Sequence, residues 1–163
     1  MKARYAFTAL LALSTLAVAC DDEDEDPNGP PDTNTFNADL TGAAERPTPV
    51  TTNASGDATF TVSTSGTTTT ITYSVTVSGL SGPVTAAHIH GPADANSAAN
   101  PIVTLTVTGT GTSGVVVSGS FTATGHATIN IAQLVTHMLA GNTYVNLHTA
   151  ANPNGEIRGQ IAD

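Results

Sequence analysis

Three of the chain's five histidines fall in two short stretches whose spacing could bring them together. Ala86-Ala87-His88-Ile89-His90-Gly91-Pro92-Ala93 carries two of them, and Tyr144-Val145-Asn146-Leu147-His148-Thr149 carries the third. Both stretches alternate apolar and polar residues and run into Gly, Pro or Asn, the pattern of a strand ending in a turn. Successive strand side chains point to opposite faces, so His88 and His90 share one face and Ala87 and Ile89 the other. Likewise Tyr144, Asn146 and His148 share a face opposite Val145 and Leu147. If the two strands are neighbours, three imidazoles converge. Neutral imidazole is a good ligand for copper, zinc or nickel, and Asp94 or Glu156 is a candidate fourth, oxygen, ligand. The alternative is structural: the same rings hydrogen-bond the loop after Gly91-Pro92 and pin the two strands. No CxxC or HExxH spacing decides between them.

Other chemistry is thin. Glu156 and Arg158 lie two apart on a strand, are expected to share a face and could pair. Arg158 reads either as a carboxylate- or ligand-binding arginine or as part of a structural ion pair or a strand-edge hydrogen bond to a loop, with Glu156 and Arg158 as the structural or ligand candidates. Gly109-Thr110-Gly111-Thr112-Ser113-Gly114 matches GxGxxG, but Val115-Val116-Val117 follows it as a strand where a dinucleotide site needs a helix. There is no GxSxG, and the sole lysine, Lys2, excludes a P-loop. No pair of carboxylates has spacing suited to acid/base work. The chain is therefore not expected to be an enzyme.

The 163 residues suffice for one domain. Four Phe, three Tyr and no Trp predict a modest core. Strands are expected at 35–40, 57–63, 69–78, 84–90, 102–107, 115–122, 143–149 and 156–162. Their turns are marked by Ser65-Gly66, Ser81-Gly82-Pro83, Gly91-Pro92 and Asn152-Pro153-Asn154-Gly155. One segment breaks the alternation: Ile131, Leu134, Val135 and Met138 recur at helical spacing before Gly141-Asn142, which predicts one short helix near 130–140. Eight short strands predict an all-β domain, an antiparallel β-sandwich or barrel. The net charge is −9, and of four basic residues only Arg46 and Arg158 lie beyond position 4. No basic stripe can form, which excludes nucleic acid as a partner.

Ala86 to Ala93, Tyr144 to Thr149 and Pro153-Asn154-Gly155-Glu156-Ile157-Arg158-Gly159-Gln160 together resemble the signature of the CHRD domain. Phe36-Asn37-Ala38-Asp39-Leu40-Thr41-Gly42-Ala43-Ala44-Glu45-Arg46-Pro47 and Ala54-Ser55-Gly56-Asp57-Ala58-Thr59-Phe60 resemble its start. The resemblance covers roughly 36–162. It implies a single-domain bacterial relative of the modules repeated in chordin, with an immunoglobulin-like Greek-key sandwich, and names no ligand. The H-x-H strand also resembles copper–zinc superoxide dismutase, but that family's bridging histidine, zinc loop and disulfide are missing here.

The N-terminus reads as an export signal. Lys2 and Arg4 precede an apolar run, Ala6–Ala19, shorter than the about 20 residues of a membrane span. It ends in Leu16-Ala17-Val18-Ala19-Cys20, which resembles a bacterial lipobox, with Cys20 as the lipidation site. Six acidic residues, Asp21–Asp26, and a Pro-rich stretch follow as an extended tether. The expected organisation is a lipoprotein signal peptide at 1–19, acylated Cys20 and tether at 20–35, and the domain at 36–163. That predicts an envelope protein, lipid-anchored at the outer membrane or cell surface. Its expected function is non-enzymatic binding or structure, with an extracellular protein or glycan as partner. The second reading is copper or zinc binding through His88, His90 and His148.

Overall fold

The computed structural model describes residues 32–125 and 129–163. The expected signal peptide, Cys20, the acidic run and His126 lie outside the described residues. Among the described residues eight strands are present: β1 (Asp32–Thr41), β2 (Ser55–Ser65), β3 (Thr68–Ser78), β4 (Val84–His90), β5 (Pro101–Thr104), β6 (Gly114–Phe121), β7 (Thr143–Thr149) and β8 (Ile157–Ile161), with one α-helix, α1 (Ile131–Leu139). β4 and β7 have the bounds that alternation predicts. β1 already begins at Asp32, so the last residues assigned to the tether belong to the sheet.

All pairings are antiparallel, and the strands form one sheet in the order β5-β4-β7-β8-β1-β2-β3-β6. The expected all-β, antiparallel architecture with one short helix is present, built as one continuous, curled sheet. The chain leaving β5 closes the curl. Leu105 N–H donates to Ala87 O at 2.9 Å, and Thr108 and Gly109 then donate to Val116 O of β6, the opposite edge strand. The edge of β6 is thereby occupied, which reduces the usual hazard of an open strand edge.

Alternation builds the core. Phe36, Ala38 and Leu40 of β1, Ala58, Phe60 and Val62 of β2, and Ile71, Tyr73, Val75 and Val77 of β3 point inward and are buried. Burying each large side chain stabilises the fold by about 1.5–3 kcal/mol. α1 adds Leu134 and Met138 to the same cluster. Its first turn is held by a capping box in which Gln133 N–H donates to Asn130 Oδ1 and the Gln133 side chain accepts from Asn130 N–H. Gly141, at φ +64°, ends it in a conformation that other residues rarely adopt.

Register places the histidine strands at one end of the sheet. Across β4, β7 and β8, His88 is level with Asn146 and Arg158, and Arg158 is level with Thr41, the last residue of β1. The first residue, Asp32, pairs with Thr64 at the other end.

Candidate metal centre

β4 and β7 are adjacent and antiparallel, so the expected convergence occurs. Each of His88, His90 and His148 offers a ring nitrogen within 4.8 Å of the others. His88 Nδ1 and His148 Nε2 stand 3.1 Å apart, with ring centroids at 5.0 Å. Two nitrogens on one tetrahedral ion, each about 2.0–2.1 Å from it, sit about 3.3 Å apart. The His88–His148 pair already has that spacing, and drawing the whole set onto one ion takes a contraction of about 1–1.5 Å.

Backbone carbonyls fix two tautomers. A carbonyl only accepts, so His90 Nδ1–H donates to Ala99 O at 2.8 Å and His148 Nδ1–H donates to Pro153 O at 3.0 Å. In the neutral rings both Nε2 atoms then carry lone pairs. His148 Nε2 accepts from His88 Nδ1–H at 3.1 Å, a bond that a metal ion would replace, while His90 Nε2 is buried with no hydrogen-bond partner among the described residues. A ligand imidazole held through its other N–H by a carbonyl is the usual arrangement around a bound metal. Burial pushes the pKa of His90 down, partly opposed by its bond to Ala99. Burial, then the neighbouring His148, pushes that of His88 down. Both shifts keep lone pairs available at neutral pH.

The floor of the site is a stacked column. His90 lies on Tyr144 with centroids 4.8 Å apart and planes 8° from parallel, and the Arg158 guanidinium carbon sits 3.5 Å from the Tyr144 centroid. Such a cation–π contact is worth about 2 kcal/mol when desolvated. The loop 91–100 folds over this face and is tied down from below. Arg158 Nη2 donates to Asp94 O, Gln160 Nε2 donates to Ala93 O, and Tyr144 Oη donates to Ala99 O.

Neither expected oxygen ligand joins the cluster. The Glu156 carboxylate turns to the other face of the sheet, where it accepts from Ser81 N–H and the hydroxyls of Ser81, Thr52 and Thr149. The Asp94 side chain accepts from Asn96 N–H at 3.0 Å. Glu156 and Arg158 do not pair either. Glu156 precedes the regular strand and its oxygens are taken by four donors, while Arg158, 1% exposed, serves the Tyr144 ring and the loop.

One residue with no signal of its own is Glu45, which follows a short 3₁₀ turn, Gly42–Ala44. It is 3% exposed, and its Oε1 has no hydrogen-bond partner among the described residues. Burial pushes its pKa up to about 7 against the pull of Arg158. Gly155 lies flat on this carboxyl: a Cβ there would stand 2.5 Å from Oε1. Glu45 borders an open groove of about 560 Å³ between residues 45–50 and 151–155. Only its place beside Arg46-Pro47 in the opening motif could have drawn attention to it.

The two strand motifs, the β7–β8 turn and the opening motif thus meet in one corner of the molecule. The CHRD domain profile matches residues 36–161, which span all of them. The chain belongs to the CHRD domain family. No curated protein and no solved structure matches it. A CHRD domain points to a binding-type, non-enzymatic module, and the three-histidine cluster of this CHRD domain is of a kind that fits a metal ion. Among the described residues no helix is long and apolar enough to cross a membrane.

Proposed function

We propose that this CHRD domain is a non-enzymatic binding module whose ligand is a copper or zinc ion held by His88, His90 and His148. The observation that carries the reading is His90 Nε2: a buried lone pair with no partner, in a cluster where the carbonyls of Ala99 and Pro153 already hold two rings by their N–H groups. Leaving a buried acceptor unmet costs about 1–3 kcal/mol, and a metal ion meets it. The structural alternative accounts for the two carbonyl bonds and for the His88–His148 bond, but gives His90 Nε2 nothing beyond the neighbouring Asn146 side chain. The Lys2/Arg4 leader, the apolar run and Cys20 support placing the module at a bacterial cell envelope on an N-terminal lipid.

Elemental analysis and calorimetric titration with Cu(II) and Zn(II) test the reading. One ion per chain is expected, lost in His88→Ala/His90→Ala and in His148→Ala while circular dichroism shows the fold retained. Folded wild-type protein that takes up neither ion would overturn it, and a protein or glycan ligand would become the leading candidate. Binding should also stabilise, by about 2.7 kcal/mol at a hundredfold excess over Kd.

A further inference from the structure

We infer that the metal ion held by His88, His90 and His148 keeps an open coordination position and fills it with a small anion from solution, such as a carboxylate or halide. This rests on the metal reading above and goes beyond it in naming what the loaded site binds.

The donor set is the first argument. All three ligands are neutral imidazoles, so a divalent ion here retains its full charge. No carboxylate is available to offset it. Glu156 is committed to Ser81, Thr52 and Thr149, Asp94 accepts from Asn96 N–H, and no acidic residue joins the cluster among the described residues. The chain's only cysteine, Cys20, lies outside the domain. A structural zinc site closes with four protein ligands, whereas three protein ligands leave a position for water or an exogenous group.

Burial gives the direction of that position. His90 is 8% exposed and forms the floor on Tyr144, while His88 and His148 are half-buried and form the rim. The fourth position of an ion seated on His90 therefore faces solvent between the rim histidines. Size follows from charge. From residue 36 on the chain carries six acidic residues against two arginines, which disfavours polyanions. At physiological salt that repulsion is screened beyond about 8 Å, so a small anion reaches the ion and coordinates it directly.

Ala86 gives a way to close the position from within. It lies on the His88 face of β4 and is the register partner of His148. Ala86→Asp would place a carboxylate at the rim.

The test loads purified wild-type protein with Cu(II), confirms uptake by elemental analysis, and titrates azide and then acetate while recording visible absorption and electron paramagnetic resonance. Azide is expected to give a saturable new charge-transfer band and altered copper hyperfine splitting, at one azide per copper. Acetate should compete for the same position. The Ala86→Asp protein, loaded alike, should lose the azide response. Copper bound with a spectrum indifferent to azide overturns this inference and leaves the metal reading standing. Failure to take up copper or zinc overturns both. An undiminished azide response in Ala86→Asp would put the anion elsewhere and overturn the assignment.

Discussion

The two halves of the sheet obey different rules. In β2 and β3 burial alternates residue by residue: inward side chains are buried and outward ones are exposed or partly so. In β7 and β8 nearly every residue is buried on both faces. The inward faces are alike, since Val145, Leu147, Ile157 and Ile161 join the same core as Phe36 and Phe60. The outward faces differ. Thr59, Thr61, Thr72 and Ser74 look out from the first half, whereas Tyr144, Asn146, Arg158 and Gln160 lie beneath the loop 91–100 and the segments around Glu45 and Gly155. A half-covered sheet needs only a hydrophobic core. A sheet covered on its outer face by loops must find partners for the polar groups trapped there, and Glu45 Oε1, His90 Nε2, Asn146 Oδ1 and Arg158 Nη1 have none among the described residues. That concentration of unmet polar atoms sets this corner apart from the scaffold half.

The contrast can be broken from either side. Phe60→Ala, in the scaffold half, should cost about 3–5 kcal/mol in urea unfolding while metal uptake by the folded fraction stays unchanged. A loss of uptake at equal folded fraction would show that the halves are not separable.

Glu45→Gln probes the covered half. A carboxyl whose pKa is raised from 4.5 to about 7 in the fold contributes stability that is full below pH 4.5 and is lost as pH rises through about 7. The neutral amide should remove that slope and stabilise the protein at pH 8 relative to wild type, by about 3 kcal/mol at most. The histidines act with the opposite sign. Their lowered pKa values make a contribution present above 6.5 and lost as pH falls below it. His88→Ala/His90→Ala should therefore flatten the acid side of the stability profile, and Glu45→Gln the neutral side.

Two glycines give a smaller, paired comparison. Gly155→Ala must fit a Cβ against the Glu45 carboxyl at φ +125°, and is expected to cost about 1–3 kcal/mol. Gly66→Ala, in the β2–β3 turn at φ +58°, meets nothing within 4 Å and should cost about 1 kcal/mol, for backbone conformation alone. Thr72→Ala, on the exposed face, should stay within about 0.5 kcal/mol. Thermal unfolding of the three variants tests the order.

What the sequence made legible follows the same division. Alternation locates β2 and β3, where burial itself has period two, and the Gly, Pro and Asn turns that bound the other strands locate the rest. Helical spacing locates α1 for the same reason. The pairing of His88 and His90 on one face, and of both with His148, follows from strand geometry together with adjacency of β4 and β7. The closure of the sheet is not legible, since it depends on the backbone of 105–109 meeting β6 rather than on any side-chain pattern. Nor is the Glu156 carboxylate's turn away from Arg158, which follows from Glu156 preceding the regular strand. Glu45 escapes notice because its burial comes from Gly155, far along the chain, pressing on it.

The position of β8 has a consequence for how the domain comes into being. This strand lies between β7 and β1, so the first and last strands of the domain are neighbours, and Thr41 meets Arg158. Contacts between residues so distant in sequence are slow to form, because a long loop must close before they repay its entropy. The β1–β2–β3 meander, the β4–β5 pair and the β3–β6 pair need nothing from the last two strands. The histidine corner needs β4, then β7, then β8 beneath Tyr144, so no N-terminal fragment can carry it. A chain threaded out N-terminus first would complete its histidine corner only once β8 had emerged.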